Sequence, residues 1–455
     1  MCVPHPPLII PEVGKGEQLG IQTTIDSYEA VMKKAASFQP ELVIITSPHA
    51  TTYLDYLHVS PGAHGEGDFG AFRASKVKVE ADYDEEFIAE LSKRCNEEGI
   101  PAGTQGERNP ELDHATMIPL YFLHHYMHDF KVVRIGISGL SASMHYRFGQ
   151  AIKETVESLG RRTVFIASGD LSHKLKEDGP YGYAKEGPEF DKEITEAFAK
   201  GDFLRFMTFA PSFCDKAAEC GLRSFLIMAG ALDRTKVSST LYSYEGPFGV
   251  GYGVAGFVPE GTDAARNIGE QYEALLSAKT KEALAHEDPY VHLARQTITR
   301  LLKHLPPFSD LSAYPEEMRQ RKAGVFVSLH EEGQLRGCIG TFRPTTECIA
   351  KEIIQNAVSA STEDPRFPAM EEKELDHLDI SVDVLGEVEP VKDVSELDPQ
   401  RYGVIVSCGR RRGLLLPDLE GVDTVEEQID IARRKGGIGE EEPLKLERFE
   451  VVRHL

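Results

Sequence analysis

The sequence predicts an α/β fold for its first 258 residues and a separate α+β unit after them. Three observations carry this. Short, continuous apolar runs alternate with segments of helical spacing up to residue 258, the pattern of a central sheet flanked by helices. A polar stretch from Pro259 to Arg266 then breaks the alternation and leads into a helical connector ending near His286. From Asp288 onward one helical stretch is followed mainly by strand signals. The expected organisation is therefore 1–258, a connector over 259–287, and 288–455.

In the first unit, Leu42 to Ile45, Val132 to Ile137 and Thr163 to Ala167 are apolar and β-branched, as buried strands are. Asp84 to Glu98 and Ala142 to Leu159 carry helical spacing, as do Asp191 to Lys200 and Phe203 to Leu232, the last interrupted near Pro211. Ser239 to Tyr244 is again strand-like. In the second unit a helix is predicted around Val291 to Leu302, with strands at Val325 to Leu329, Ile380 to Leu385, Val404 to Val406 and Leu414 to Leu416.

A chain of 455 residues exceeds one core and suggests two to three domains. Its 41% hydrophobic and 27% charged residues are ordinary for a globular protein. The net charge of −23 argues against nonspecific binding to nucleic acid or anionic membranes. Seven scattered cysteines without a CxxC pair fit reduced thiols rather than a disulfide framework or structural zinc site. The N-terminal stretch does not read as a signal peptide, and no run of about 18 apolar residues occurs. A cytoplasmic, homo-oligomeric protein is expected.

Gly251-Tyr252-Gly253-Val254-Ala255-Gly256 spells a dinucleotide-binding fingerprint, but that motif works only where a strand gives way to a helix. Here it runs into Pro259, which a helix interior excludes. The glycines fit better in a bent strand approached closely by other groups, which draws attention to Glu245 just upstream.

Three histidines lie where strand patterns end: His5 before an apolar segment, His49 after the strand at Leu42, and His173 after the strand at Thr163. Ligands of open α/β sheets collect at the carboxyl ends of strands. Two imidazoles and the Glu245 carboxylate could form a facial triad for non-heme iron, although spacing alone does not join residues so remote. Other histidines compete less well. His124 and His128 share a helical face, yet His125 stands where a metalloprotease helix needs Glu; a packing role is expected for them, and a capping or solvent-facing one for His145. His58 and His64 lie beside and within a glycine-rich stretch, Pro61 to Gly70, readable as a lid or a loop.

Taken together, Pro4 to Leu8 (PHPPL), Ser47 to His49 (SPH), Leu112 to Thr116 (LDHAT), Ser168 to His173 (SGDLSH) and the Glu245 segment resemble the LigB-like class III extradiol dioxygenases and the related Memo proteins. The resemblance covers about residues 3–258. It implies Fe(II) held by His5, His49 and Glu245, with His173 as acid/base and His114 facing the substrate pocket. The activity implied is ring cleavage of a catechol-like diol by O2. Memo proteins carry a cysteine at the acidic ligand position, so Glu245 sides with the dioxygenases; a non-catalytic, Memo-like metal- or peptide-binding protein is the alternative.

In the second unit, Leu335 to Phe342 (LRGCIGTF), Thr362 to Pro368 (TEDPRFP) and the stretch from Gly409 to Gly421 resemble the AMMECR family over essentially the whole unit. That family implies a fold more firmly than an activity. Arg336, Arg343, Arg366 and Arg410 to Arg412 could line an anion-accepting cleft beside Cys338; arginines paired with surplus acids around a buried turn are the favoured reading. Both families are known as companions of a radical-SAM protein, which implies such a partner.

Overall fold

In the computed structural model, residues 1–308, 310–419 and 421–455 are described; Glu420, within the Gly409-to-Gly421 motif, lies outside them. The chain divides into Met1–Ala274 and Leu275–Leu455, and the division falls inside the helix Ile268–Ala285. Among the described residues no helix is long and apolar enough to cross a membrane.

The first unit is built on six strands: β1 (Cys2–Val3), β2 (Leu42–Ser47), β3 (Lys131–Gly136), β4 (Thr163–Ser168), β5 (Thr235–Glu245) and β6 (Tyr252–Thr262). Their order across the sheet is β3-β2-β4-β1-β6-β5. The first four run parallel and the last two are antiparallel. Every residue of β2 is buried, which is why Leu42 to Ile45 form a continuous apolar run instead of alternating with polar residues. Helices α1 (Gln22–Ser37), α2 (Glu85–Glu97), α3 (His114–Leu123), α4 (Ala142–Leu159), α5 (Glu186–Lys200) and α6 (Leu222–Ala231) accompany the sheet. The ends of α4 are set by local chemistry: the Ser141 hydroxyl accepts from Met144 N–H at its start, and Gly160 takes a left-handed conformation at its end.

The α/β expectation holds, with local differences. The long pattern from Phe203 to Leu232 divides into Phe203–Met207, Pro211–Ala217 and α6, because Pro211 can open a helix but not sit inside one. The stretch from Pro61 to Gly70 is no open loop: His64–Phe69 forms an antiparallel hairpin with Ala74–Asp82. The false fingerprint lies at the start of β6, which continues as strand through Pro259 to Thr262, so the strand crosses the expected boundary at 258.

The second unit holds one antiparallel sheet containing β7 (Val325–Glu331), β8 (Gln334–Gly340), β9 (Leu378–Leu385), β10 (Tyr402–Cys408), β11 (Arg411–Leu415) and β12 (Lys445–His454), ordered β8-β7-β9-β12-β10-β11. Helices α7 (Pro289–Leu302), α8 (Ile349–Thr362) and α9 (Val425–Lys435) belong to it. The strand β12 was not legible as such, since its apolar residues, Leu446, Phe449, Val451 and Val452, keep no strict alternation.

Candidate metal centre

Strands β2, β4 and β1 are parallel neighbours, so the segments leaving their carboxyl ends emerge on one edge. His5, His49 and His173 lie just beyond those ends, and His114 is the first residue of α3. Candidate ligand atoms of His5, His49 and His114 all fall within 4.8 Å of one another. The Nε2 atoms of His5 and His49 are 3.2 Å apart. The ring of His114 lies 4.3 Å from that of His49 and 5.4 Å from that of His5, centroid to centroid.

The rings are held in place from behind. Nδ1 of His5 contacts Ser168 Oγ at 3.1 Å, leaving Nε2 for the cluster, and the His5 backbone N–H donates to Asp170 Oδ1 at 2.7 Å. Asp113 ties the other two segments together. Its Oδ1 accepts from Ser47 Oγ at 2.6 Å and from Thr116 N–H, which caps α3 beside His114. Ser47 Oγ in turn accepts the His49 N–H at 3.1 Å. Across the sheet, the fully buried Arg134 clamps Asp113 Oδ2 through Nε and Nη2 at 3.2 and 3.1 Å.

Electrostatics favour the neutral forms of His5 and His114. Burial, then repulsion from His49, holds His5 well below the usual histidine range. Burial, then His5 and His49, lowers His114 to about 3. Imidazole nitrogens gathered this closely can share a cation, so the residues present fit a divalent metal.

The structure does not bring Glu245 into this cluster. Its Oε2 accepts from the backbone N–H and the hydroxyl of Thr24, at 3.0 and 2.6 Å, in the first turn of α1. A carboxylate there satisfies an otherwise unpaired helix donor and complements the helix dipole. Nor do the glycines after Glu245 serve a metal floor: a Cβ on Gly251 would lie 2.0 Å from Asp191 Oδ2. The third member of the cluster is His114, which the resemblance had placed in the substrate pocket. A residue overlooked in the sequence is Cys220, whose Sγ stands 3.7 Å from His5 Nε2 and accepts from Asp170 N–H at 3.3 Å. Burial pushes this thiol well above its ordinary value. No motif spacing marked Cys220, because it sits in a loop 215 residues from His5.

His173 Nδ1 lies 2.6 Å from the Ala218 carbonyl. A carbonyl can only accept, so Nδ1 carries the proton and Nε2 is left as the base. Elsewhere, His145 is fully buried and bonded to Ser141 O and Ser138, a structural role rather than a solvent-facing one. His124 and His128 stack on each other at 5.2 Å.

Behind His173 lies a second buried acid. Asp191 accepts from Ser172 N–H and Tyr244 O–H, both at 2.7 Å, and burial raises its carboxyl to about 7. A folded value above the unfolded 3.8 means that its contribution to stability is complete below pH 3.8 and is lost as pH rises through 7. Ionising it in the fold costs about 4 kcal/mol. Asp191→Asn should therefore gain about 2–4 kcal/mol relative to wild type between pH 4.5 and pH 8, measured by urea unfolding at both values.

In the second unit, Arg336 pairs with Glu374 at 2.6 Å and Arg366 with Asp364 at 2.7 Å. Asp364 also accepts the Cys338 N–H at 2.9 Å, and Ser328 Oγ donates to Cys338 Sγ at 3.3 Å. Arg343 lies over the Phe342 ring. Arg336 and Arg366 are thus occupied by acids, as expected, but Cys338 lies in strand β8 and not in a turn.

A mostly parallel α/β sheet with a histidine cluster at its strand ends defines an α/β protein with a candidate metal site. Residues 1–255 match the family described as the catalytic LigB subunit of aromatic ring-opening dioxygenase, and residues 291–454 match AMMECR1. The chain belongs to the LigB family and joins that domain to an AMMECR1 domain. It is 42% identical to protein CA_C1420 of Clostridium acetobutylicum over 99% of this chain and 98% of that protein. A Thermotoga maritima protein is 51% identical over 37% of this chain and 98% of its own length. Among solved structures, protein PH0010 from Pyrococcus horikoshii shares 30% identity over 36% of this chain and 88% of that chain, with a TM-score of 0.34.

Proposed function

We propose that the LigB domain is an Fe(II)-dependent dioxygenase that opens a catechol-like ring with O2, its metal held by His5, His49 and His114. The observation that carries this reading is the convergence of three imidazoles, His5 and His114 kept neutral by burial, at the sheet edge where α/β proteins bind ligands. When bound there, the metal supplies Lewis acidity and a redox partner for O2. The chain's own contribution is positional and protic. His173 Nε2 takes the proton of a substrate hydroxyl, while the Ala218 carbonyl holds the ring in the needed tautomer. Phe72, with its ring 5.2 Å from His114, gives an aromatic substrate an apolar neighbour.

Cys220 favours a second reading, a Memo-like metal-binding protein without oxygenase activity, because a thiol beside His5 suits softer metal chemistry. Anaerobic Fe(II) loading, followed by O2-uptake measurements on a panel of catechols, separates the two. Uptake with 1:1 product formation supports the dioxygenase, and a fully loaded, oxygen-silent protein supports the alternative. Glu245→Ala should keep its metal, since its carboxylate is engaged by Thr24. Loss of metal in that variant, with the fold intact by circular dichroism, overturns the three-histidine ligand set.

A further inference from the structure

At the other end of the same sheet lies a cavity of about 590 Å³ with no part in the chemistry above. Its wall is formed where strands begin: Pro40 precedes β2, Thr163 opens β4, and Phe257 to Pro259 belong to the antiparallel β6. With β2 and β4 each six residues long, the histidine cluster is roughly 20 Å away. Val31 and Ala35 of α1, Val156 of α4, Phe165, Leu232 and Phe257 make the interior apolar. Its volume is that of a small-molecule site. Phe38, also in the lining, is 46% exposed, an uncovered ring in an apolar hollow.

The charges in the lining are not those of the chain. The protein carries −23 overall, yet this cavity has Lys34, Lys153 and Arg162 against Glu157 alone. Lys153 is paired with Glu157 at 3.2 Å, and Arg162 is shared with Glu41 at 3.5 Å. Lys34 has no carboxylate partner among the described residues; its Nζ lies 5.0 Å above the Phe38 ring. An exposed ammonium held against an aromatic at an apolar cavity can meet one anionic head while the hollow takes an apolar body. We propose that this cavity binds a medium-chain carboxylate, with its alkyl chain among α1, α4 and the strand starts and its head group on Lys34.

The test uses the full chain and laurate below its micelle concentration, titrated calorimetrically, with dodecyltrimethylammonium as the cationic control. Laurate is expected to bind 1:1. Ala231→Trp, which fills the cavity from the end of α6, should weaken laurate at least tenfold. The surface change Lys34→Glu should also weaken it at least tenfold while strengthening the cationic control. Thermal melts by circular dichroism report folding of each variant, and Lys34→Glu keeps the test decisive should Ala231→Trp not fold. Absence of laurate binding to the folded wild type overturns the proposal, as does unchanged affinity in Lys34→Glu. A wild-type dimer that Ala231→Trp dissociates in sedimentation also overturns it, showing that a second copy covers the hollow.

Discussion

Replacing His5 by alanine should lower divalent-metal affinity by more than about 100-fold, because even residues that merely support a ligand are worth 10- to 100-fold. His5 is the natural choice: its Nε2 is the point that both His49 Nε2 and Cys220 Sγ approach, at 3.2 and 3.7 Å. Metal analysis after dialysis against a weak chelator reads the loss directly. The same cluster dictates a pH dependence. His114 titrates at about 3 in the fold against 6.5 when unfolded, so its contribution to stability is present above pH 6.5 and is lost as pH falls towards 3. Metal binds the neutral ring, and protons compete for it only weakly above pH 5. The loaded protein should therefore retain metal at pH 5, where an exposed histidine site would release it, while the metal-free protein loses stability over the same range. Metal retention in His5→Ala equal to wild type would remove the cluster as a metal site.

The strand-end histidines were legible because apolar runs mark parallel strands, and loops at their carboxyl ends are few. His5 and His49 followed from that logic together with motif resemblance. His114 was legible as a site residue but not as a cluster member, since nothing in one sequence says how far the start of α3 leans over the sheet. Glu245 was misplaced for a related reason. It ends β5 at the antiparallel edge of the sheet, and whether its side chain turns towards the histidines or towards α1 depends on one residue, Thr24, whose role as a donor no pattern reveals. Cys220 was invisible among seven scattered cysteines. In the second unit, the motif around Cys338, expected as a tight buried turn, is strand β8, and of the acids that occupy its arginines only Asp364 lies near its partner in sequence.

Arg134 carries the largest structural effect. It is a fully buried arginine in the middle of β3, a position that reads as plain apolar strand on either side. Burial by itself would raise the Asp113 carboxyl, but Arg134, Ser47 and Thr116 together hold it below its ordinary value. In Arg134→Met the volume is nearly kept and the counter-charge is lost. Removing one partner of a buried pair costs about 3–5 kcal/mol, because the other charge stays behind without compensation. The pH signature should reverse as well. In the wild type, the Asp113 contribution is present above pH 3.8 and fades as pH falls through its lowered folded value. In Arg134→Met, burial dominates, the carboxyl rises, and the deficit measured by urea unfolding should be larger at pH 8 than at pH 4. Because Asp113 joins the Ser47–His49 segment to the start of α3, metal affinity should drop about 10- to 100-fold even though no ligand has changed. The double variant Arg134→Met/Asp113→Asn removes both charges and should recover part of the stability but not the affinity, since the pair sets geometry as well as charge. Equal stability of Arg134→Met and wild type at pH 8 would show that Asp113 is protonated in the native fold and that the clamp does not act as an ion pair.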